Sequence, residues 1–381
     1  MKYFIIAGEA SGDLHASNLM RELIKSDAQA EFCFLGGDLM KMQGGTMIKH
    51  YRQMAFMGFW AVLKNARTIL NNMNDCKKAM LDFQPDLLIL VDYPSFNLRM
   101  AQFAKEILGV SVHYYIPPKI WAWKEHRIKR IKKYIDKVYT IFPFETDFYA
   151  KHDYLVEYVG NPSVDSVLLR PNQQQSFQEF CQLNKVDTKP IIALLCGSRK
   201  QEIVACLPKM IEAAKQFSEY QIIVAGAPGI NPNFYKTLIS KHNIQIVFGQ
   251  TYELLQQARV AVVNSGTATL ETALIGTPQV VVYYIIMGRL AYMIKDLIMK
   301  VKYFSLVNLV AKKEVVKELI FHYFTVDNLS KELTTLLYDE AYRNKMQMEY
   351  ARIQKALGGP NAAARTAPKM ISELNSTLKG L

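Results

Sequence analysis

Short apolar runs alternate along the chain with longer stretches in which apolar residues recur every three or four positions. The runs are continuous, which is typical of parallel strands that are buried on both faces. The pattern predicts strands at residues 3–7, 32–35, 87–91, 110–115, 138–141, 191–196, 221–225, 244–248, 260–264 and 279–283. Helical periodicity predicts helices at residues 14–25, 98–108, 202–217 and 269–275.

This alternation of strands and helices occurs twice, which predicts an α/β fold with two doubly wound domains. The polar segment 170–190, which contains Pro171, Pro190 and glutamines at positions 173–175 and 178, is the expected linker. We therefore expect domains at residues 1–170 and 171–344, in keeping with 381 residues at about 150 residues per domain. The tail from about residue 339 has a helical, polar and basic pattern, with a break at residues 358–361.

The composition excludes a disordered chain and indicates an anionic partner. Half of the residues are hydrophobic, and 46 Lys and Arg outnumber 34 Asp and Glu, for a net charge of +12. Such an excess is typical of proteins that bind nucleic acid, phosphorylated small molecules or an anionic membrane surface. Five cysteines without a C-x-x-C spacing predict neither a disulfide framework nor a metal site.

No segment of the sequence has the pattern of a membrane anchor. The longest apolar stretch, residues 279–294, is interrupted by Arg289. It is shorter than the roughly 20 residues that a spanning helix needs. We therefore expect a cytoplasmic protein without a transmembrane helix.

Ligands of doubly wound sheets bind beyond the carboxyl ends of the strands, so the residues there are the first candidates for chemistry. The first strand is followed by GEASGD (residues 8–13), whose glycines let a ligand approach the backbone; a tight turn capped by Asp13 is the structural alternative. The third strand is followed by Asp92, a natural general base, for which an Asx turn before Pro94 is the alternative.

Two tryptophans, Trp121 and Trp123, follow the fourth strand. They suit an aromatic platform for a sugar or acyl chain, or the packing of a surface loop. Residues 119–137 carry eight Lys and Arg against two acidic residues, which suits phosphate or anionic lipid but also a solvated helix face. The apolar segment 54–63, followed by Lys64, predicts a buried core helix or a membrane-inserting amphipathic helix.

Two further loops follow strands in the second domain. Gly197, Ser198 and Arg199 precede a helix, where backbone amides and a guanidinium can hold phosphate oxygens. SGTATLE (residues 265–271) opens another helix, whose N-terminus suits a pyrophosphate. The carboxylate one turn further can accept two ribose hydroxyls. An ordinary capping box is the structural alternative.

Taken in this order, the motifs resemble the lipid-A-disaccharide synthase family, glycosyltransferase family 19. The resemblance covers nearly the whole chain: GEASGD (8–13), MGF (57–59), VDYPSFN (91–97), WAW (121–123), PFE (143–145), GSR (197–199) followed by Glu202, SGTATLE (265–271) and YFSLVNLVA (303–311). It implies the GT-B fold, in which two doubly wound Rossmann-like domains face a cleft.

The resemblance also implies a reaction. Members of this family transfer 2,3-diacylglucosamine, with inversion, from UDP-2,3-diacylglucosamine to the 6-hydroxyl of 2,3-diacylglucosamine 1-phosphate (lipid X). The products are a β-1,6 lipid A disaccharide 1-phosphate and UDP, and no metal or organic cofactor takes part. The implied location is the cytoplasmic face of the inner membrane of Gram-negative bacteria, bound peripherally. A homodimer with exchanged C-terminal parts is the implied oligomer.

Candidate residues follow from the motifs and the resemblance together. The expected base is Asp92, with Glu9 as the second choice. The expected donor (UDP) site contains Gly197, Ser198, Arg199, Ser265, Gly266, Thr267, Glu271 and, from the resemblance alone, Asn308. The expected acceptor, lipid or membrane contacts are Ser11, Met57, Trp60, Lys119, Trp121, Trp123, Arg127 and Arg130. Residues after about 345 are expected to pack back on the first domain, which would bind the acceptor.

Two other classes of function remain open on the sequence. Another UDP-sugar enzyme of the GT-B fold, a UDP-GlcNAc 2-epimerase or the peptidoglycan GlcNAc transferase, would share the architecture but lack the WAW segment. A nucleic-acid-binding module would explain the positive charge, but the sequence contains no recognised reader motif. The resemblance implies no nucleic acid partner.

Overall fold

The computed structural model describes residues 1–54, 66–239, 244–284 and 301–379. They form two compact units: unit 1 comprises Met1–Pro162 and Asn361–Leu381, and unit 2 comprises Ser163–Pro360. Met57 and Trp60, with most of the apolar segment 54–63, lie outside the described residues. Across the described ranges, every helix is too short or too polar to cross a membrane.

Unit 1 is built on a parallel sheet with the strand order β3-β2-β1-β4-β5-β6-β7. Tyr3 and Ile5 of β1 enter one hydrophobic core, while Phe4 and Ile6 enter the core on the opposite face. The continuous apolar runs therefore reflect burial on both faces, as predicted. The strands are β1 (Lys2–Ala7), β2 (Glu31–Gly36), β3 (Thr46–His50), β4 (Leu87–Val91), β5 (Ser111–Tyr115), β6 (Lys137–Thr140) and β7 (Glu157–Tyr158).

Helices cover both faces of this sheet. Leu19 and Leu23 of the first helix enter one core, and Cys76 and Met80 of the third helix enter the other. All five cysteines of the chain are buried free thiols. The helices of this part of the chain are α1 (Ala10–Ser26), α2 (Asp38–Met42), α3 (Ala66–Phe83), α4 (Pro94–Phe103), α5 (Ile128–Tyr134) and α6 (Pro143–Ala150).

Unit 2 repeats the doubly wound plan, with the parallel strand order β10-β9-β8-β11-β12-β13. The strands are β8 (Ile191–Leu195), β9 (Gln221–Gly226), β10 (Gln245–Phe248), β11 (Ala258–Asn264), β12 (Gln279–Tyr283) and β13 (Glu318–Ile320). The helices in its described residues are α7 (Pro162–Leu168), α8 (Phe177–Asn184), α9 (Lys200–Ala214), α10 (Pro232–Ile239), α11 (Thr251–Gln257), α12 (Thr267–Ile275), α13 (Leu306–Ala311), α14 (Val326–Tyr338) and α15 (Glu340–Leu357).

The chain returns to unit 1 in its last helix, α16 (Ala362–Lys379). Met370 and Leu374 enter the same core as α1, and Arg365 Nε donates a hydrogen bond to the carbonyl of Val159 at 2.9 Å. The return begins at residue 361 rather than at about 345, because α15 packs on unit 2. There the side chain of Gln279 bonds to the Tyr350 hydroxyl at 3.3 Å.

The structure places both domain boundaries at other residues than the sequence predicted. The division falls between Pro162 and Ser163 rather than at residue 170. The segment 170–190 is not a linker, because α8 lies inside it with Phe180 and Cys181 buried. All ten predicted strands are present, whereas β3, β7 and β13 were not predicted. These three strands lie at sheet edges.

Candidate active site

The turn after β4 holds Asp92 in a strained backbone conformation. Asp92 and Tyr93 have φ angles of 45° and 47°, in the left-handed region that side chains other than glycine rarely adopt. Pro94 then occupies the first turn of α4, where its fixed φ favours the helix. The turn therefore places the Asp92 side chain beside the positive end of α4.

Burial raises the pKa of the half-buried Asp92 carboxyl above its ordinary value. The charge of Lys119 and a hydrogen bond from the backbone of Tyr93 oppose this shift. Lys119 is exposed on the loop that follows β5. A carboxylate with a raised pKa binds a proton more readily, which is a property of a general base.

The loop that follows β1 contacts the turn after β4. A Cβ atom on Gly8 would lie 2.2 Å from the ring of Tyr93, so only glycine allows this contact. Burial and the charge of Glu9 raise the pKa of Tyr93. Glu9 therefore lies at the same edge of the sheet as Asp92, as the N-cap residue of α1.

Asp13 does not cap α1, which corrects the structural alternative for this loop. It lies within the helix, and its carboxylate accepts hydrogen bonds from the backbone N–H groups of Gly37, Leu39 and Met40 at 2.8–3.1 Å. These bonds hold the start of α2 against α1. Ser11, in the first turn of α1, is exposed.

The two tryptophans of the WAW segment have different environments. Trp121 is buried: its Nε1 donates to Glu145 Oε1 at 3.0 Å, and its ring makes an edge contact with Phe144 at 4.9 Å. Trp123 is 47% exposed, and the Lys124 ammonium lies 4.3 Å from its ring centroid. The contacts of Trp121 therefore fit the packing of the loop, whereas the exposed ring of Trp123 can contact a partner.

Glu145 connects this loop to α6. Its other oxygen, Oε2, accepts hydrogen bonds from the backbone N–H groups of Ile141 and Phe142 at 3.1 and 3.0 Å. Burial raises the pKa of Glu145 to about 7, against the opposing effect of these bonds and of the bond from Trp121.

Arg127 and Arg130 bind the helix that follows Asp92. Arg127 Nη2 donates to the Ser95 hydroxyl at 3.0 Å, and Arg130 Nη2 donates to the carbonyl of Leu98 and to Gln102 Oε1, each at 3.2 Å. Both side chains are half-buried. Lys119 and Lys129, by contrast, are exposed cations of the same basic segment.

In unit 2, the loop after β8 is organised by Glu202. The Oε2 atom accepts hydrogen bonds from the backbone of Ser198 and Arg199 at 3.1 and 3.3 Å, and Arg199 Nη1 donates to Oε1 at 3.1 Å. Gly197 has a φ of 110°, and a Cβ atom there would lie 2.6 Å from this carboxylate. Ser198 and Arg199 are exposed at the N-terminus of α9.

The loop after β11 lies beside it, since β8 and β11 are neighbouring strands. The Asn264 amide approaches Glu202 Oε2 at 3.5 Å, and the Ser265 hydroxyl donates to the carbonyl of Phe304 at 3.2 Å. Gly266 and Thr267 are exposed where α12 begins. The structure therefore brings together the predicted donor residues of the two loops.

Glu271 lies one turn into α12. Burial raises the pKa of its half-buried carboxyl, and a hydrogen bond with the Tyr252 side chain opposes that shift. Tyr252 lies on α11 and also forms a hydrogen bond with Ser166. These contacts fix the carboxylate near the start of the helix.

Asn308 differs from the other predicted donor residues. It is fully buried; its Nδ2 donates to the carbonyl of Val316 and to Glu318, and its Oδ1 accepts from the backbone of Val315 and Val316. These four bonds use both donors and both acceptor positions of the amide. Asn308 therefore holds the turn after α13 and has no capacity left for a donor substrate in this conformation. Ser305 caps α13.

Comparison with known proteins identifies the family. Residues 3–371 match the family model described as lipid-A-disaccharide synthetase. The chain belongs to the lipid-A-disaccharide synthase family. The lipid-A-disaccharide synthase of Syntrophus aciditrophicus is 36% identical over 95% of each chain, and that of Myxococcus xanthus is 36% identical over 98% of this chain and 97% of its own. This confirms the resemblance that the motifs indicated.

Solved structures confirm the fold. A UDP-GlcNAc 2-epimerase from Methanocaldococcus jannaschii, in complex with UDP-GlcNAc and UDP, aligns with a TM-score of 0.64 at 13% identity, over 98% of this chain and 100% of that chain. The epimerase from Neisseria meningitidis aligns with a TM-score of 0.59 at 14% identity, over 99% of this chain and 100% of its own. The two parallel-sheet units are therefore of the GT-B type, and at this identity the likeness extends to the fold alone.

Sequence reasoning missed the groups that hold the candidate residues in place. Glu145 and Glu202 belong to the matched motifs, but the motifs gave them no role. A Glu three residues after the N-cap position is the signal that could have found both, because each carboxylate accepts the backbone N–H of its N-cap residue, Phe142 or Arg199. Tyr114 and Asn97, which bind the backbone of Asp92, carry no such local signal.

Proposed function

We propose that this chain is the glycosyltransferase that joins UDP-2,3-diacylglucosamine to lipid X. The reaction transfers 2,3-diacylglucosamine, with inversion, to the acceptor 6-hydroxyl and releases UDP and the β-1,6 disaccharide 1-phosphate. The family match over residues 3–371 carries this proposal. The chemistry at the carboxyl ends of the two sheets agrees with it.

Unit 1 supplies the base in this proposal. The acceptor hydroxyl loses its proton as its oxygen attacks the anomeric carbon of the donor, and Asp92 takes that proton. The raised pKa of Asp92 supports this role, because the half-buried carboxylate is a stronger base than one in water. Glu9, at the same edge, is the second choice.

Unit 2 holds the leaving group in this proposal. The bond from the anomeric carbon to the UDP oxygen breaks, and the diphosphate gains negative charge. The exposed Arg199 guanidinium and the amides at the start of α12 are the groups that would stabilise that charge. A guanidinium has five N–H donors, so Arg199 can keep its bond to Glu202 while it binds phosphate oxygens. Glu271 would accept the ribose hydroxyls.

Product analysis tests this function. The purified chain is incubated with UDP-2,3-diacylglucosamine and lipid X, and the products are identified by mass spectrometry. We expect UDP and a disaccharide 1-phosphate in equal amounts. Incubation with UDP-GlcNAc alone is the control for an epimerase, and turnover of that nucleotide without a lipid acceptor would overturn the proposal.

We also propose that the protein works at the cytoplasmic face of the inner membrane, where both lipid substrates reside. The exposed Trp123 with Lys124 over its ring, next to the exposed Lys119, has the composition of a contact with an anionic interface. Cosedimentation with anionic vesicles should fall for Trp123→Ala, and equal binding by the wild type and the variant would refute this contact.

A homodimer with exchanged C-terminal parts is the final element of the proposal. The chain leaves unit 2 at Gly358–Pro360 and continues in a helix that packs on unit 1. An exchange at this connection would replace that helix with the same helix of a second copy. Light scattering should report twice the mass of 43.6 kDa, and a monomer at micromolar concentration would contradict the exchange.

A further inference from the structure

The backbone at Asp92 is held by contacts from three directions. Its N–H donates to the carbonyl of Ile116 at 3.2 Å. Its carbonyl accepts the Tyr114 hydroxyl at 2.6 Å and the Asn97 Nδ2 at 2.7 Å. Tyr114 of β5, Ile116 directly after β5 and Asn97 of α4 therefore hold the peptide groups on both sides of the Asp92 Cα.

These contacts act on a conformation that is unfavourable by itself. Asp92, Tyr93 and Ile116 all have positive φ angles, of 45°, 47° and 60°. Left-handed backbone at residues other than glycine costs free energy and persists only where the surroundings impose it. The two donors to the Asp92 carbonyl are the groups that impose it here.

Both donors are buried. Tyr114 and Asn97 are each 0% exposed. The Asn97 amide has only one possible orientation, because its Nδ2 faces two carbonyl oxygens, those of Val91 and Asp92. In these bonds both residues contact the backbone carbonyl of Asp92. Burial and, after it, the charge of the Asp92 carboxylate raise the pKa of Tyr114, so its hydroxyl stays protonated as a donor.

We propose that Tyr114 and Asn97 are positioning residues, which hold the Asp92 turn in its left-handed conformation and thereby direct the Asp92 carboxylate at the acceptor hydroxyl. The proposal rests on Asp92 acting as the base of the proposed reaction. A catalytic group that moves by about 1 Å can lose about 10²-fold in rate, so loss of either donor should lower turnover.

The test compares Tyr114→Phe with Tyr154→Phe. The Tyr154 hydroxyl also donates to a backbone carbonyl of unit 1, that of Ile135, at 2.7 Å, but away from Asp92. Each variant removes one such bond and keeps the ring, so the two should have similar melting temperatures. We expect Tyr114→Phe to lower kcat by about 10-fold to about 10²-fold, with KM for both substrates within about twofold of the wild type. Tyr154→Phe should leave kcat and KM unchanged.

A double-mutant cycle decides whether Tyr114 acts through Asp92. In an Asp92→Asn background, Tyr114→Phe should cause no further loss, because the group that it positions has already lost its function. Asn97→Ala, which removes the second donor, should give the same pattern. An equal loss in both backgrounds, or a kcat for Tyr114→Phe equal to that for Tyr154→Phe, would overturn the positioning role. A wild-type protein without disaccharide product would instead overturn the proposed function itself.

Discussion

The carboxyl edges of the two sheets differ in how their candidate residues are held. In unit 1, Asp92 is fixed by fully buried donors, Tyr114 and Asn97, and the neighbouring loop is fixed by the buried Trp121–Glu145 contact. In unit 2, the corresponding loops present Arg199 and Thr267 to solvent. Their contacts, such as the bond between Arg199 and Glu202, are themselves exposed.

Under the proposed reaction, this difference matches a division of labour between two units of one fold type. A base must be placed accurately before the substrate arrives, and buried contacts provide that accuracy. A site for a diphosphate needs accessible N–H groups, since the ligand brings its own charge. Both sheets have the same doubly wound order, so the distinction arises from loop residues rather than from topology.

Loss of the Asp92 carboxylate should have the largest effect. Asp92→Asn cannot accept a proton, and we expect kcat to fall by about 10²-fold to 10⁴-fold in an assay of UDP release. Because burial raises the pKa of Asp92, the neutral amide should not lower the melting temperature. Glu9→Gln is the paired variant: a larger loss there than for Asp92→Asn would assign the base to Glu9.

Removal of the Arg199 guanidinium should have the next largest effect. Hydrogen bonds to charged groups contribute about 1.5–3 kcal/mol, so Arg199→Ala should raise the donor KM by about 10-fold to 10²-fold. Because the guanidinium would also stabilise the charge on the leaving diphosphate, kcat should fall as well. The exposed pair with Glu202 contributes little to stability, and the melting temperature should change little.

The chain offers a matched control for this prediction. Arg352 also pairs with a Glu three residues away, Glu349, at 2.5 Å on the exposed side of α15. Arg352→Ala should leave the donor KM unchanged. Equal donor KM values for the two variants would show that Arg199 does not bind the donor and only pairs with Glu202 at the start of α9.

The burial of Glu145, which holds the loop of Trp121 in unit 1, should make the free energy of unfolding depend on pH. Glu145 has a pKa of about 7 in the fold and an ordinary value of 4.5, so the folded state binds its proton more tightly than the unfolded state does. Wild-type stability should therefore fall as the pH rises from about 4.5 to about 7, by up to roughly 3 kcal/mol. Glu145→Gln should lack this dependence.

Tryptophan fluorescence in urea measures this effect selectively, because all three tryptophans lie in the unit 1 segment of the chain. Glu179, in unit 2, is the control, and Glu179→Gln should leave this fluorescence transition unchanged. It occupies the same capping-box position, but hydrogen bonds from Ser176 lower its pKa, so its small contribution should be lost as the pH falls. The same pH dependence in the wild type and in Glu145→Gln would contradict the burial of this carboxyl.

The sequence predicted the central strands of the two sheets better than the edge strands. The strands 87–91 and 279–283 match β4 and β12 residue for residue, because strands buried on both faces leave long apolar runs. The edge strands β3 and β7 are half-buried and β13 has only three residues, so none of them leaves such a run. The helix α8 was missed because polar composition outweighed its capping box of Ser176 and Glu179.

The candidate site was predictable in its residue types but not in its contacts. Asp92 and Arg199 lie in loops after strands, and Glu271 lies one turn into the helix after β11. Their place beyond the carboxyl ends of the strands marks them as candidate site residues. The bonds from Tyr114 to Asp92 and from Trp121 to Glu145 join residues 22 and 24 positions apart, which no local pattern encodes. Asn308 is a different case, because a motif marked it as a candidate but its contacts give it another role. Its side-chain amide forms hydrogen bonds with the backbone of the turn after α13.

The division of labour is tested most directly by UDP binding to two variants. Calorimetric titration of Asp92→Asn should give a Kd for UDP within about twofold of the wild type, although its turnover is lost. Arg199→Ala should bind UDP about 10-fold to 10²-fold more weakly. If Asp92→Asn weakens UDP binding as much as Arg199→Ala does, the account of a base in unit 1 and a donor site in unit 2 is wrong.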